Sequence, residues 1–178
     1  MTAPDLHPIA GRFWRMIRVP WQRDPLSGEG ARLYGGRWNA KGAPALYLGA
    51  SHDVAIAEYH RGLPKPGTLV PYDIRSDAIA DLTDGAGRPR DAEVADAVRC
   101  DWTARMRAGD IPPSWLLVER MMAEGAAGAL VPSVQHRGGV CLVLWSWHDA
   151  AGTGERAAVT VLDPMGDLIP LGAGAGPR

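Results

Sequence analysis

The stretch GGRWNAKGAPALYLGASHDVAIAE, residues 35–58, combines a turn, a strand and the start of a helix. Its two leading glycines predict a turn whose backbone a ligand can approach closely. Residues 44–49 form a short apolar run that is typical of a buried strand. Ser51 or Asp53 is a suitable N-cap, so a helix is predicted from there to about Gly62. Three elements of secondary structure are therefore expected in close succession.

Outside this segment, the 178-residue chain predicts strands and helices that do not alternate regularly. An apolar stripe at helical spacing marks the last helix, with Met121 and Met122 expected in the core. The predicted strands are 12–19, 68–74, 140–147 and 157–162, the predicted helices are 91–108 and one capped by Ser114, and the longest loop is 20–36. These elements indicate an α+β fold. We assign residues 1–11 to a lead-in, 12–170 to one domain and 171–178 to a flexible tail.

The composition argues against several classes of function. Lys and Arg total 19 against 20 for Asp and Glu, so the net charge of −1 gives no basic excess for binding nucleic acid directly. No apolar run is long enough to cross a membrane and no secretory signal is evident, which predicts a cytoplasmic protein. Cys100 and Cys141 lie far apart in the sequence, so neither a disulfide framework nor a metal site is expected. The glycine-rich cradles of Rossmann and P-loop proteins are also missing from the sequence.

Glu58 is the most unusual residue of the opening stretch. On the predicted helix it shares a face with Val54 and Ala55, which places its carboxylate where the core should be. An ionised carboxylate is costly to bury unless it is paired or hydrogen-bonded. The residues alone therefore leave two interpretations open, a structural ion pair with an arginine such as Arg37 or a catalytic role.

Three other side chains are candidates for the same kind of site. Tyr47, near the end of the predicted strand, offers either an aromatic face for a flat heterocycle or a core tyrosine with a satisfied hydroxyl. The planar guanidinium of Arg37 suits a diphosphate or a carboxylate. Ser133 precedes His136, but no GxSxG elbow surrounds it, so a serine hydrolase is not indicated.

These residues together resemble the RES domain, a family named for its Arg, Glu and Ser. The matching positions are Phe13-Trp14-Arg15, Gly36-Arg37-Trp38-Asn39, Gly42, Pro44, Leu46-Tyr47-Leu48, Ala55, Glu58 and Val131-Pro132-Ser133. The resemblance spans residues 13–163 and is most specific from the glycine pair to Glu58. It implies a single domain similar to ADP-ribosyltransferase toxins, with a split mixed or antiparallel sheet and flanking helices. It also implies NAD⁺ as the substrate, with no metal.

The resemblance gives Arg37, Tyr47 and Glu58 roles in one catalytic site. Cleavage of the bond between nicotinamide and ribose passes through a ribosyl cation, and Glu58 would stabilise the charge that develops in the transition state. Tyr47 would stack on nicotinamide. Arg37 would bind the diphosphate or the adjacent ribose.

Two further NAD-binding residues follow from the same resemblance. The first arginine of the family corresponds to Arg15, in preference to Arg18. Ser133 corresponds to the family serine and is expected to bond the nicotinamide amide or the ribose. The family's common Asn after that serine is not evident, since residues 138–141 read GGVC.

The family also implies partners. Its members are toxins of type II toxin–antitoxin pairs, held inactive by an Xre-like antitoxin with a helix-turn-helix domain, so a homodimer or higher assembly within that complex is expected. Three acceptors of ADP-ribose stay open: a side chain of a cellular protein, water or phosphate. The alternative function is a catalytically silent module that binds a nucleotide or a protein, in which Arg37 and Glu58 form a structural ion pair.

Overall fold

A seven-stranded mixed sheet dominates the computed structural model, which describes residues 6–149 and 157–168. The strands are β1 Leu6–Ile17, β2 Leu46–Gly49, β3 Thr68–Asp81, β4 Gly128–Pro132, β5 Val140–Leu144, β6 Trp147–Asp149 and β7 Ala157–Val161. The helices are α1 Glu29–Tyr34, α2 His52–His60, α3 Ala92–Arg99, α4 Trp102–Ala108 and α5 Pro113–Ala123. The strand order is β1-β2-β5-β4-β3-β7-β6, and β1 also pairs with β3. The predicted α+β fold with a split mixed sheet is confirmed.

The long strands β1 and β3 pair with each other and so join two positions of the sheet that are otherwise three strands apart. They pair antiparallel from Leu6 opposite Ala80 to Ile17 opposite Thr68. The middle of β3, from Tyr72 to Arg75, also pairs with β7, whereas its last three residues pair in parallel with β4. Five strands, β1, β2, β5, β4 and β3, therefore close on themselves, and β7 and β6 extend β3 on its other side.

Alternation along the strands supplies two apolar cores. In β5, Leu142 and Leu144 join a cluster that draws on β1, β2, β3 and β7, while Val143 on the opposite face joins a cluster with α3 and α5. Met121 is buried in the second cluster, as predicted. Met122 is 46% exposed, so its predicted place in the core is wrong.

Several elements differ in extent from their predicted bounds. The first strand begins at Leu6, inside the segment that we assigned to the lead-in, because its partner β3 is also longer than predicted and continues to Asp81. The predicted loop 20–36 contains α1. The predicted strand 140–147 is divided between β5 and β6. The tail at 171–178 lies outside the described residues.

The predicted helix 91–108 is two helices, because Asp101 caps the second one by accepting a hydrogen bond from the backbone N–H of Ala104. Ser114 is not the cap of the last helix: Pro112 holds that position and Ser114 lies fully buried in the first turn. Ser51 is the cap of α2, as predicted. In the part of the chain that the structure describes, no helix is long and apolar enough to cross a membrane.

Candidate active site

A cavity of about 580 Å³ opens between α1, β1, β2, α2, the start of α4 and the segment after β4. Arg37, Tyr47 and Glu58 all line this cavity. Its volume lies within the range of small-molecule binding sites, which is roughly 300–1,000 Å³. The structure therefore brings together the three residues that the sequence singled out.

Tyr47 lies in β2, and the turn that precedes this strand holds its side chain in place. Its hydroxyl donates to Oδ1 of Asn39 at 2.7 Å and accepts from the backbone N–H of Trp38 at 3.1 Å. Asn39, only 1% exposed, in turn donates through Nδ2 to the carbonyl oxygens of Ala31, Ala40 and Ala43. Because the hydroxyl is already paired twice, Tyr47 offers the cavity its ring rather than its oxygen.

Gly36 is required for this arrangement. A Cβ at this position would overlap the Tyr47 hydroxyl and would lie 2.6 Å from Oδ1 of Asn39. The tight approach that the sequence suggested for a ligand is thus made by the protein's own Tyr47. Burial raises the pKa of the Tyr47 hydroxyl far above its usual value, so the group is neutral at physiological pH.

Arg37 is tied to the break between α3 and α4. Its Nη1 donates to the carbonyl oxygens of Ala97 at 2.9 Å and Cys100 at 2.6 Å. These are carbonyl groups at a helix C-terminus, where a cation is favourable. Burial lowers the pKa of Arg37, although the group remains charged. Among the ion pairs of the described residues, none joins Arg37 to Glu58, so the interpretation of this pair as a structural salt bridge is wrong.

Glu58 is anchored by one carboxylate oxygen only. Oε1 accepts from the Ser133 hydroxyl at 2.6 Å and from the backbone N–H groups of Val134 and Gln135 at 2.9 and 3.1 Å. Within the described residues no hydrogen bond ends on Oε2. The segment after β4 therefore fixes the carboxylate while one of its oxygens stays available to a ligand.

Ser133 positions Glu58 in this structure. Its hydroxyl donates to Glu58 and accepts from the backbone N–H of His136 at 3.0 Å. Its neighbours Val134 and Gln135 line the cavity, whereas Ser133 is set behind them. The expected contact between Ser133 and the nicotinamide amide or the ribose stays a prediction.

Cys141, near the start of β5, lines the same cavity as Glu58. Burial, and next the charge of Glu58, raises the pKa of its thiol to about 12. The thiol is therefore protonated at neutral pH and adds no charge to the site.

Arg15 forms hydrogen bonds with the loop that leads to α1. Its Nη1 donates to the carbonyl oxygens of Pro25 and Ser27, both at 3.1 Å, and Pro25 also accepts from the Tyr72 hydroxyl at 2.8 Å. Arg15 contributes to the wall of the cavity, while Arg18 is exposed and does not. A direct contact of Arg15 with the substrate stays a prediction.

Sequence reasoning missed other side chains that line the cavity. They are Tyr34, Tyr59, Arg61 and Trp102, and Trp14 was noted only as part of the family motif. Arg61 follows Glu58 by three residues, one helical turn, and this spacing is the signal that could have found it. Trp102 begins α4, whose start depends on a helix break that the sequence pattern did not indicate.

No group of three or more His, Cys, Asp or Glu side chains among residues 6–149 and 157–168 is arranged to hold a metal ion. The prediction that the chemistry needs no metal is not tested by this finding. The charged groups at the site are arginines and a single carboxylate.

A family model described as the RES domain matches residues 12–164. The chain therefore belongs to the RES domain family, which confirms the resemblance inferred from its motifs.

Relatives and a solved structure show how similar the chain is to known members. A protein named Toxin Res from Yersinia enterocolitica is 28% identical over 123 residues, covering 68% of this chain and 74% of the relative. NAD(+) phosphorylase MbcT from Mycobacterium tuberculosis is 32% identical over 146 residues, covering 75% of this chain and 72% of the relative. The crystal structure of the M. tuberculosis MbcT–MbcA toxin–antitoxin complex superposes with a TM-score of 0.53 at 24% identity, covering 78% of this chain and 75% of that one. The last comparison shows a shared fold.

Proposed function

We propose that this protein is the toxin of a toxin–antitoxin pair and that it consumes NAD⁺ by breaking the bond between nicotinamide and ribose. The observation that carries the proposal is the half-anchored carboxylate of Glu58, which shares one cavity with Tyr47 and Arg37. The names of its relatives, Toxin Res and NAD(+) phosphorylase, support both parts of the proposal.

Glu58 acts on the ribose. As the C–N bond breaks, the bonding electron pair leaves with nicotinamide, which becomes neutral, and positive charge develops on the ribose. Oε2 of Glu58, held in place through Oε1, accepts a hydrogen bond from a ribose hydroxyl and stabilises that charge. Because the three donors to Oε1 fix the carboxylate beforehand, little reorganisation is needed in the transition state.

Tyr47 and Arg37 hold the substrate on either side of that bond. The ring of Tyr47 stacks on nicotinamide, since its hydroxyl is committed to Asn39 and Trp38. Only Nη1 of Arg37 donates to the carbonyl oxygens of Ala97 and Cys100. This leaves the other N–H groups of Arg37 for the role that we propose, binding the diphosphate or the adjacent ribose.

Phosphate is the acceptor that we favour for the ADP-ribosyl group. A phosphate oxygen attacks C1′ of the ribose as nicotinamide departs, which gives ADP-ribose phosphate and free nicotinamide. The support is the 32% identity with a relative named NAD(+) phosphorylase. Transfer to water or to a cellular protein remains an outcome of the test below.

An antitoxin that holds the chain inactive is the partner that we propose. The solved structure that shares this fold is that of a toxin–antitoxin complex. An Xre-type antitoxin with a helix-turn-helix domain, a dimeric or larger assembly and a cytoplasmic location complete the proposal.

The test is nicotinamide release from NAD⁺ by the wild type and by Glu58→Gln, each with phosphate, without phosphate and with cell extract. Loss of one preorganised electrostatic contact typically costs about 10²–10³ in rate, and we expect that loss for Glu58→Gln. Glu119→Gln makes the same change on the exposed face of α5 and should match the wild type. Absence of release by folded wild type under all three conditions would refute the proposal, and modified proteins in the extract would move the acceptor from phosphate to protein.

A further inference from the structure

Arg61 occupies a position at the end of α2 that glycine usually holds. Its backbone lies in the left-handed region, with φ 49° and ψ 45°, and its N–H closes the helix on the carbonyl oxygen of Ala57. In the described part of the chain it is the only non-glycine residue with positive φ. Left-handed helix ends favour glycine because a Cβ is crowded there. Arg61 takes this conformation although Gly62 follows directly.

The turn after Arg61 is fixed by the residues around it. The Tyr59 hydroxyl donates to the carbonyl oxygen of Pro66, and the backbone N–H of Lys65 donates to Nδ1 of His60 at 3.1 Å. Both contacts bridge the ends of the turn. The Cα of Arg61 is thereby held at the cavity, which Arg61 lines together with Arg37.

The cavity carries more positive than negative charge. Its ionisable lining consists of Arg15, Arg37 and Arg61 against the single carboxylate of Glu58, apart from tyrosine and cysteine groups. Arginines 12, 32, 88, 90, 99 and 120 have carboxylate partners, but no ion pair of the described residues includes Arg37 or Arg61. Burial lowers the pKa of Arg37; nearby Cys100, Glu58 and Asp101 raise it, and the charge of Arg61 lowers it, so the Arg61 and Glu58 charges both act on the Arg37 guanidinium. An anion that enters the cavity would be attracted by both guanidinium groups.

We propose that Arg61 and Arg37 together bind the diphosphate of the NAD⁺ substrate, with Arg61 at the mouth of the cavity. This inference rests on the proposed function, which it deepens by naming a second diphosphate-binding residue. Arg61 ends the helix that carries Glu58, three residues further along the chain, and both residues line the cavity. A ribose held by Glu58 therefore brings its attached diphosphate towards Arg61. Guanidinium groups suit this ligand because their planar forks match phosphate oxygens in pairs.

Binding of ADP-ribose, measured by titration calorimetry, tests the assignment without requiring turnover. Asn tolerates the left-handed backbone, so Arg61→Asn removes the charge without adding strain. We expect its Kd for ADP-ribose to rise about tenfold or more, since a charge-assisted contact is lost. Arg61→Lys should recover part of the affinity. Arg88→Asn, which removes an exposed arginine paired with Asp84 outside the cavity, should leave the Kd unchanged.

An unchanged Kd in Arg61→Asn, or no recovery in a folded Arg61→Lys, would overturn the assignment. A second arm measures nicotinamide release against phosphate concentration. If Arg61→Asn changes only the phosphate dependence, the site holds the acceptor and the diphosphate assignment is wrong.

The proposed function and this inference fail separately. Arg61-dependent binding of ADP-ribose without nicotinamide release from the wild type would refute the function and keep the site. Nicotinamide release with unchanged ADP-ribose binding in Arg61→Asn would keep the function and refute the site.

Discussion

Replacement of Ser133 by alanine removes the shortest of the three hydrogen bonds that anchor Glu58. The hydroxyl donates to Oε1 at 2.6 Å, while the N–H groups of Val134 and Gln135 still hold the same oxygen. A hydrogen bond to a charged group contributes about 1.5–3 kcal/mol, and each ~1.4 kcal/mol corresponds to tenfold in rate. Because two anchors remain, we expect the lower part of that range, a decrease in kcat of about tenfold.

The kinetic signature separates this positioning role from a general loss of structure. Ser133 is set behind the residues that line the cavity, so the KM for NAD⁺ should stay near the wild-type value while kcat falls. Ser133→Thr keeps the hydroxyl and should recover most of the rate. The assay is the initial rate of nicotinamide release over a range of NAD⁺ concentrations, with a thermal melt of each variant. A wild-type kcat in folded Ser133→Ala would refute the idea that the serine holds the carboxylate.

Ser114→Ala is the matched control. The Ser114 side chain is fully buried, and its hydroxyl has no hydrogen-bond partner among the described residues. Removal of an unsatisfied buried hydroxyl relieves a desolvation cost of about 1–3 kcal/mol. We therefore expect Ser114→Ala to be at least as stable as the wild type, with unchanged kcat, so any loss in Ser133→Ala comes from its particular contacts.

Two further predictions concern Tyr47 and Cys141. Tyr47→Phe keeps the ring but leaves Asn39 Oδ1 and the Trp38 N–H without their partner. We expect the free energy of unfolding, measured in urea, to fall by about 1–3 kcal/mol, while the KM for NAD⁺ changes little. A large rise in KM would contradict a role through the ring alone. Burial raises the pKa of the Cys141 thiol from 9.0 to about 12, so on raising the pH the unfolded state loses this proton before the folded state does. The contribution of the protonated thiol to the free energy of unfolding is therefore complete below pH 9 and is lost as the pH rises towards 12. Cys141→Val should flatten that part of the stability profile, and an unchanged slope between pH 9 and 12 would contradict the assignment.

The parts of the site that follow from local pattern could be predicted. Helical spacing placed Glu58 on the face of Val54 and Ala55, and Glu58 is indeed half-buried beside these two buried residues. Ser51 was recognisable as an N-cap from its residue type and position. These inferences depend on neighbours within a few residues, which a sequence contains explicitly.

The partners of the motif residues could not be predicted, because they come from distant segments. Ser133 meets Glu58 across 75 residues, and Arg37 meets the carbonyl groups of Ala97 and Cys100 across 60 and 63 residues. The carbonyl groups that Arg37 uses lie at the break between α3 and α4, where Asp101 caps the second helix. Residues 91–108 read as one helix because propensity alone cannot indicate which carbonyl groups another segment will use.

The way Glu58 is anchored also decides which substitution is informative. If Glu58 were the ion-pair partner of a buried arginine, Glu58→Gln would strand that arginine and destabilise the fold. The structure instead gives Oε1 three neutral donors and leaves Oε2 without a bond in the described part of the chain. A glutamine can present its carbonyl oxygen in the place of Oε1 and keep all three contacts, so Glu58→Gln should remain folded while it loses the charge that the reaction needs. Glu58→Ala should lose both the three hydrogen bonds and the charge. Comparison of the two variants therefore separates the role of the carboxylate in the reaction from its role in the stability of the fold.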